Sequence, residues 1–239
     1  MKNTLPIHEV FAAFQGEGEH AGRPAFFIRT QGCPVHCDFC DSAGTWHPNH
    51  VPKRVGRRTV EELAETASEY RAAEFAVVTG GEPCIHNLEP LVVALHQAGL
   101  ICHLETSGAF GITGAFDWVT VSPKMAPGVD IGQVDLSLMK ADEVKLIITK
   151  PEDVKMWLDR VAPHVPTGCE VWLHPEWGHR NDPAVLAAIC GAVTGGPYAG
   201  LHGTIRPRAG FQLHKLYNVD KMDKRSAAPA PLGGVGDNY

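Results

Sequence analysis

Three cysteines within eight residues, in the stretch Gly32-Cys33-Pro34-Val35-His36-Cys37-Asp38-Phe39-Cys40-Asp41, constrain this chain more than any other feature. Spacers of three and two residues let a loop fold its Cβ atoms to one side, so the thiols can close on one metal centre. Three thiolates are one ligand short of the four that structural zinc takes from protein. A [4Fe-4S] cluster held by three cysteines instead leaves one iron open to a substrate or cofactor. Two other readings stand beside it: buried free cysteines, and a zinc knuckle completed by His36 or His47. Zinc would call for a second ligand pair, and no C-x2-C or H-x3-H partner with zinc-site spacing occurs elsewhere. Cys84, Cys102, Cys169 and Cys190 lie in or near apolar runs and read as buried single thiols.

At 239 residues the chain is long enough for one full core, with a tail beyond it. No run of about 18 apolar residues offers a membrane span, and Met1-Lys2-Asn3-Thr4-Leu5-Pro6 lacks the apolar segment of a signal peptide. The expectation is a cytoplasmic protein whose seven cysteines serve metal or catalysis rather than disulfides. A formal charge of −6 argues against a basic footprint for nucleic acid and for small-molecule chemistry.

Residues 7–14 mix apolar and polar positions, and Gln15 to Pro24, with three glycines and a proline, read as a loop. Ala25 to Thr30 reads as a buried strand feeding the cysteine loop. Residues 43–58 read as a polar insert, in which Lys53, Arg54, Arg57 and Arg58 form a solvated face. Thr59-Val60-Glu61-Glu62 is a capping box opening a helix over 60–73. A strand over Phe75 to Thr79 ends at Gly80-Gly81, and a helix over Asn87 to Ala98 closes at Gly99. Further strands are predicted over Leu100 to Leu104, Trp118 to Val121, Val144 to Ile148 and Glu170 to Leu173. Helices are predicted over Pro151 to Val161 and from Asp182-Pro183 to Val193. Alternating strands and helices with continuous apolar strands predict a parallel sheet covered by helices, of the α/β class. Six or seven strands and four helices are too few for an eightfold barrel, so a partial βα barrel is expected, with its sites at the C-terminal strand ends. A domain over 1–218 and a flexible Ala/Pro/Gly-rich tail over 219–239 complete the expected organisation.

The C-x3-C-x2-C loop after a first strand, with Phe39 between the last two cysteines, resembles the cluster loop of the radical S-adenosylmethionine enzymes. More narrowly, Phe14-Gln15-Gly16-Glu17-Gly18 upstream and Cys40-Asp41-Ser42 downstream resemble the 7-carboxy-7-deazaguanine synthases, and the likeness runs from about residue 8 to 217. It implies a [4Fe-4S] cluster on Cys33, Cys37 and Cys40. It also implies that Thr79-Gly80-Gly81-Glu82-Pro83 corresponds to the family's GGEP element, which binds the amino group of S-adenosylmethionine. Phe39, Asp41, Gly80, Gly81, Glu82, Ser122, Pro123 and Lys124 are thereby expected at the cofactor. His174 is expected there too, although the family often has Gln at that position. Alone, the strand-end glycines would read as a turn, or as a place where a ligand approaches the backbone beside an acid.

The same likeness implies as substrate 6-carboxy-5,6,7,8-tetrahydropterin, contacted by Phe14, Gln15, Gly16, Arg29, Thr79 and His214. Arg29 suits a carboxylate and the Gln15-Gly16 amides suit a planar heterocycle. Ser42 stands where the family has a threonine whose hydroxyl helps hold Mg2+, and an oxygen is retained. The closing segment Gln212-Leu213-His214-Lys215 matches as well, but the chain runs on past the point where a terminal carboxylate would reach the substrate. An electron donor such as flavodoxin or ferredoxin and a homodimer are also implied. Two rivals are a glycyl-radical activating enzyme, which would share the cluster loop but not the Gln15 loop or Ser42, and a zinc module using Cys33, Cys37, Cys40 and His36.

Overall fold

The computed structural model describes residues 3–200 and 203–217. Its main sheet has nine strands: β1 (Thr4–Phe14), β2 (Pro24–Thr30), β3 (Gly56–Thr59), β4 (Phe75–Gly80), β5 (Ile101–Thr106), β6 (Trp118–Val121), β7 (Glu143–Ile148), β8 (Glu170–Pro175) and β11 (Pro207–Ala209). A separate ribbon pairs β9 (Tyr198–Gly200) with β10 (Gly203–Ile205). The order across the main sheet is β11-β8-β7-β6-β5-β4-β2-β1-β3. Pairing is parallel from β2 through β11 and antiparallel at β1, which joins β2 on one side and β3 on the other. The two outer strands do not meet, so the expected partial βα barrel is what forms.

The helices α1 (Val60–Glu69), α2 (Glu89–Gln97), α3 (Ile131–Leu138), α4 (Pro151–Val161), α5 (Pro183–Thr194) and the short α6 (Leu213–Leu216) complete the elements. The alternation of side chains along each strand decides where everything points. On β7, Val144, Leu146 and Ile148 are fully buried in the apolar layer that Leu91, Leu138 and Leu158 of the helices share. Lys145 and Ile147, one residue out of phase, face the interior cavity. A second, smaller apolar cluster of Phe11, Phe27, Phe75 and Val77, with Phe11 and Phe27 stacked at 5.0 Å, closes part of that interior.

Caps account for several helix starts. Thr59 and Glu62 exchange the two bonds of the expected capping box, and Asp130 and Asp182 accept backbone N–H groups at the starts of α3 and α5. Helix α1 stops at Glu69 rather than 73, because the chain turns at Tyr70, whose ring packs on Phe26 at 5.0 Å. Strand β1 was not expected: its mixed pattern arises because it pairs with β2 along one edge and β3 along the other, and a bulge between Ile7 and Glu9 breaks the two-residue alternation. The insert over 43–58 contributes β3, and α3 and β11 also exceed the expected count. Of the four outlying cysteines, Cys84 and Cys102 are buried, Cys169 is half-buried and Cys190 is exposed. Cys190 departs from the expectation because α5 buries Val185 and Ile189, and the next residue turns about 100° away from that face. The predicted tail over 219–239 lies outside the described residues.

Candidate active site

The C-terminal ends of the parallel strands share a rim over a cavity of about 230 Å3. Sixteen of the residues expected at a cofactor, metal or substrate line it: Cys33, Cys37, Cys40, Phe39, Asp41, Ser42, Gly80, Gly81, Ser122, Lys124, Phe14, Gln15, Gly16, Arg29, Thr79 and His214. Three do not. Pro123 is buried away from the cavity. Glu82 has no exposed surface, and its carboxylate is taken up by the Cys84 N–H at 3.0 Å, the Thr106 hydroxyl at 2.7 Å, the Ser107 N–H at 2.8 Å and the Ser107 hydroxyl. It fixes the loop after β5 and has no lone pair directed at a ligand. His174 is fully buried, with neither ring nitrogen bonded to another described group. Burial pushes its pKa down to about 4, so the imidazole is neutral.

The cysteine loop is tied down on both sides. The Gly32 N–H donates to the Thr45 carbonyl at 3.0 Å, the Glu82 N–H donates back to Gly32 at 2.9 Å, and the Thr45 hydroxyl donates to Ser42 at 2.7 Å. The strand-end glycines serve this seam. A Cβ on Gly81 would overlap the Gly32 carbonyl and lie 2.7 Å from Cys33 Cβ, and one on Gly80 would overlap Thr30. Their missing side chains therefore let the chain pack on the cysteine loop, in addition to any room they leave for a ligand. All three thiols have pKa values raised by burial, Cys40 to about 11. A bound cation would reverse that shift, since coordination removes the thiol proton. His36, at φ 53°, stacks on Trp46 at 4.3 Å. Among the described residues no three His, Cys, Asp or Glu side chains converge on a single-ion site. The zinc quartet is thus not assembled, whereas a four-iron cluster binds each thiolate on a different iron and needs no such convergence.

Charge organises the opposite wall. Lys145, at the middle of β7, lies 2.7 Å from Glu17 and 3.3 Å from Glu105. Glu17 also accepts from the Gln212 amide at 2.8 Å, and Glu105 from the Gln15 amide at 2.8 Å. Burial acts to raise the Glu17 pKa, but the Lys145 ammonium, by its charge and its hydrogen bond, together with His214, outweighs it and holds the carboxyl well below its usual value. Asp41 behaves the same way: burial opposes ionisation, Lys215 at 3.3 Å and His214 outweigh it, and the pKa falls to about 2. Arg29 is shared between Glu9 at 2.8 Å and the Ser42 hydroxyl at 3.0 Å. Lys124 donates to Ser122 at 2.6 Å and lies 5.6 Å over the Phe39 ring. The closing segment rests on the first loop, the Leu213 N–H donating to Gly16 at 2.9 Å, and a Cβ on Gly16 would overlap His214.

Glu17, Glu105, Lys145, Gln212, Lys215 and Trp46 were not among the expected site residues. One signal was available for Lys145: an ammonium in a strand otherwise reading Glu-Val-Lys-Leu-Ile-Ile demands a buried acidic partner.

A three-cysteine loop at the C-terminal mouth of a partial parallel barrel defines a radical S-adenosylmethionine fold, and a sequence profile of the Radical SAM superfamily matches residues 27–117. The chain is 44% identical over 174 residues to a 7-carboxy-7-deazaguanine synthase of Synechocystis sp., covering 73% of this chain and 79% of that one. It is 33% identical over 218 residues to the synthase of the same name from Flavobacterium psychrophilum, covering 90% and 92%. The crystal structure of QueE from Escherichia coli superposes with a TM-score of 0.72 at 31% identity, over 88% of this chain and 95% of that one. The chain belongs to the 7-carboxy-7-deazaguanine synthase family.

Proposed function

We propose that this chain catalyses the reaction for which its family is named, converting 6-carboxy-5,6,7,8-tetrahydropterin into 7-carboxy-7-deazaguanine with loss of ammonia. The observation that carries the reading is a single cavity bounded on one side by Cys33, Cys37 and Cys40 and on the other by the Gln15, Glu105 and Lys145 floor. When bound, the cluster and S-adenosylmethionine supply a 5′-deoxyadenosyl radical that takes hydrogen from the substrate.

The chain's own groups bind and orient. Cys33, Cys37 and Cys40 are the ligands for the cluster, and Ser122, Lys124 and the backbone of Gly80 and Gly81 suit the sugar, carboxylate and amine of the cofactor. Arg29 offers a fork to the substrate carboxylate, while Gln15, Thr79 and Glu105 offer donors and acceptors to its ring edge. Asp41, ionised throughout the neutral range, and the adjoining Ser42 hydroxyl are oxygen ligands of the kind Mg2+ takes, with water completing its shell. Gln212, His214 and Lys215 roof the cavity and limit water.

Among the described residues no helix is long and apolar enough to cross a membrane, and the thiol-rich site suits the reducing cytoplasm. A low-potential one-electron donor of the flavodoxin or ferredoxin class is required, and the family resemblance supports a homodimer. The test is anaerobic formation of 5′-deoxyadenosine with and without the carboxypterin. Cleavage that rises with substrate supports the reading, and cleavage indifferent to it overturns it.

A further inference from the structure

Among the three cysteines, Cys40 has a side-chain neighbour of a different kind. The indole N–H of Trp46 donates to Cys40 Sγ at 3.2 Å. Backbone N–H groups, of Val35 and His36 near Cys33, of Cys37 itself and of Ser42 near Cys40, also act to lower these thiol pKa values. The indole is held firmly in place. Its backbone N–H closes the Ala43–Thr45 turn on Ala43 at 3.1 Å, His36 stacks on one face at 4.3 Å and 19°, and His47 meets it edge-on at 5.3 Å. The donor is therefore aimed at a ligand sulfur, in a loop that buries that sulfur, and it does not line the cavity in which substrate sits.

We propose that Trp46 is a positioning residue that sets the reduction potential of the cluster through its hydrogen bond to the Cys40 thiolate. This rests on the cluster reading above. Reduction adds one electron, taken from the external low-potential donor, to a cluster whose ligand sulfurs then carry more negative charge. A donor N–H stabilises that form more than the oxidised one and raises the potential. Removing the N–H makes the cluster harder to reduce without altering the substrate contacts. His36 and His47 flank the ring and keep the N–H directed at sulfur.

W46F keeps an aromatic ring for His36 and deletes the donor. The purified anaerobic protein is assayed first for iron and sulfide, and the midpoint is then read by redox titration with electron paramagnetic resonance of the reduced cluster. Four irons and four sulfides with a midpoint below the parent's is the expected result. At a fixed applied potential the reduced-to-oxidised ratio falls about fivefold, the size of one ordinary hydrogen bond. An unchanged midpoint in W46F with a full cluster overturns the proposal. Parent protein with no iron and sulfide overturns the cluster reading instead. If W46F alone loses the cluster, W46H, which restores a ring N–H, decides: a recovered cluster supports the donor role, and a lost one shows that the indole acts by packing and overturns it.

Discussion

Replacing Lys145 by methionine removes the cation on which the cavity floor is balanced. Its ammonium lies 2.7 Å from Glu17 and 3.3 Å from Glu105, with side-chain exposures of 6, 12 and 22%. At an effective dielectric of about 20 those contacts amount to about 6 and 5 kcal/mol of gross attraction, much of it offset by lost hydration. What matters in the variant is the pair of carboxylates left behind, and stripping one partner from a buried pair costs about 3–5 kcal/mol. For a chain of this length that lowers the melting temperature by roughly 10 °C. The pH dependence follows in sign. In the parent, Glu17 has a folded pKa below its unfolded value, so it contributes stability above the unfolded pKa and loses it as pH falls. In the variant the Lys145 attraction is gone while the burial that raises the Glu17 pKa remains, so the Glu17 carboxylate destabilises most at high pH and protonates on acidification. Thermal melts by circular dichroism on anaerobic protein should show the largest gap at about pH 8 and a smaller one at about pH 5.5. A variant melting within about 2 °C of the parent at both values would show that the floor does not depend on the Lys145 charge.

Alanine at Cys33, Cys37 or Cys40 is expected to abolish the cluster, while alanine at Cys84, Cys102, Cys169 or Cys190 leaves it intact; iron and sulfide analysis decides, and a full cluster in Cys37→Ala contradicts the assignment. Gly81→Ala places a Cβ against Gly32 and Cys33, so cluster content should fall before S-adenosylmethionine affinity is even at issue, and a full cluster with normal cofactor binding would show that the seam relaxes at little cost. Ser42→Ala deletes an oxygen beside Asp41, so turnover should need more Mg2+ while Ser42→Thr stays active; an unchanged Mg2+ dependence in the alanine variant makes Ser42 an ordinary loop residue whose partner is Arg29.

The parts of the site legible from sequence were those carried by short spacings. The cysteine loop, the strand-end glycines and the Thr59–Glu62 capping box each involve neighbours in the chain, so the local pattern holds their geometry. Groups whose role depends on a partner far along the chain were missed: Lys145 meets Glu17 across 128 positions, and Gln212 meets Glu17 across 195. Glu82 illustrates the reverse error. Its position in the GGEP element made it a ligand contact, yet four donors, three of them on Thr106 and Ser107, consume its carboxylate. Strand β1 escaped notice because a bulge between Ile7 and Glu9 shifts its register against β2 and breaks the two-residue alternation. Helix α3 escaped because Gly132 and three polar residues interrupt a short apolar pattern that only the Asp130 cap announces.

If one cavity serves both cluster chemistry and recognition of a carboxylated pterin, the loaded enzyme must turn that pterin into product. Reconstituted protein is incubated anaerobically with 6-carboxy-5,6,7,8-tetrahydropterin, S-adenosylmethionine, Mg2+ and a reductant, and the mixture is examined by mass spectrometry. The account predicts 7-carboxy-7-deazaguanine, with ammonia released in equal amount, and neither product from Cys37→Ala protein. A fully loaded enzyme that cleaves S-adenosylmethionine yet leaves the carboxypterin unchanged would contradict it.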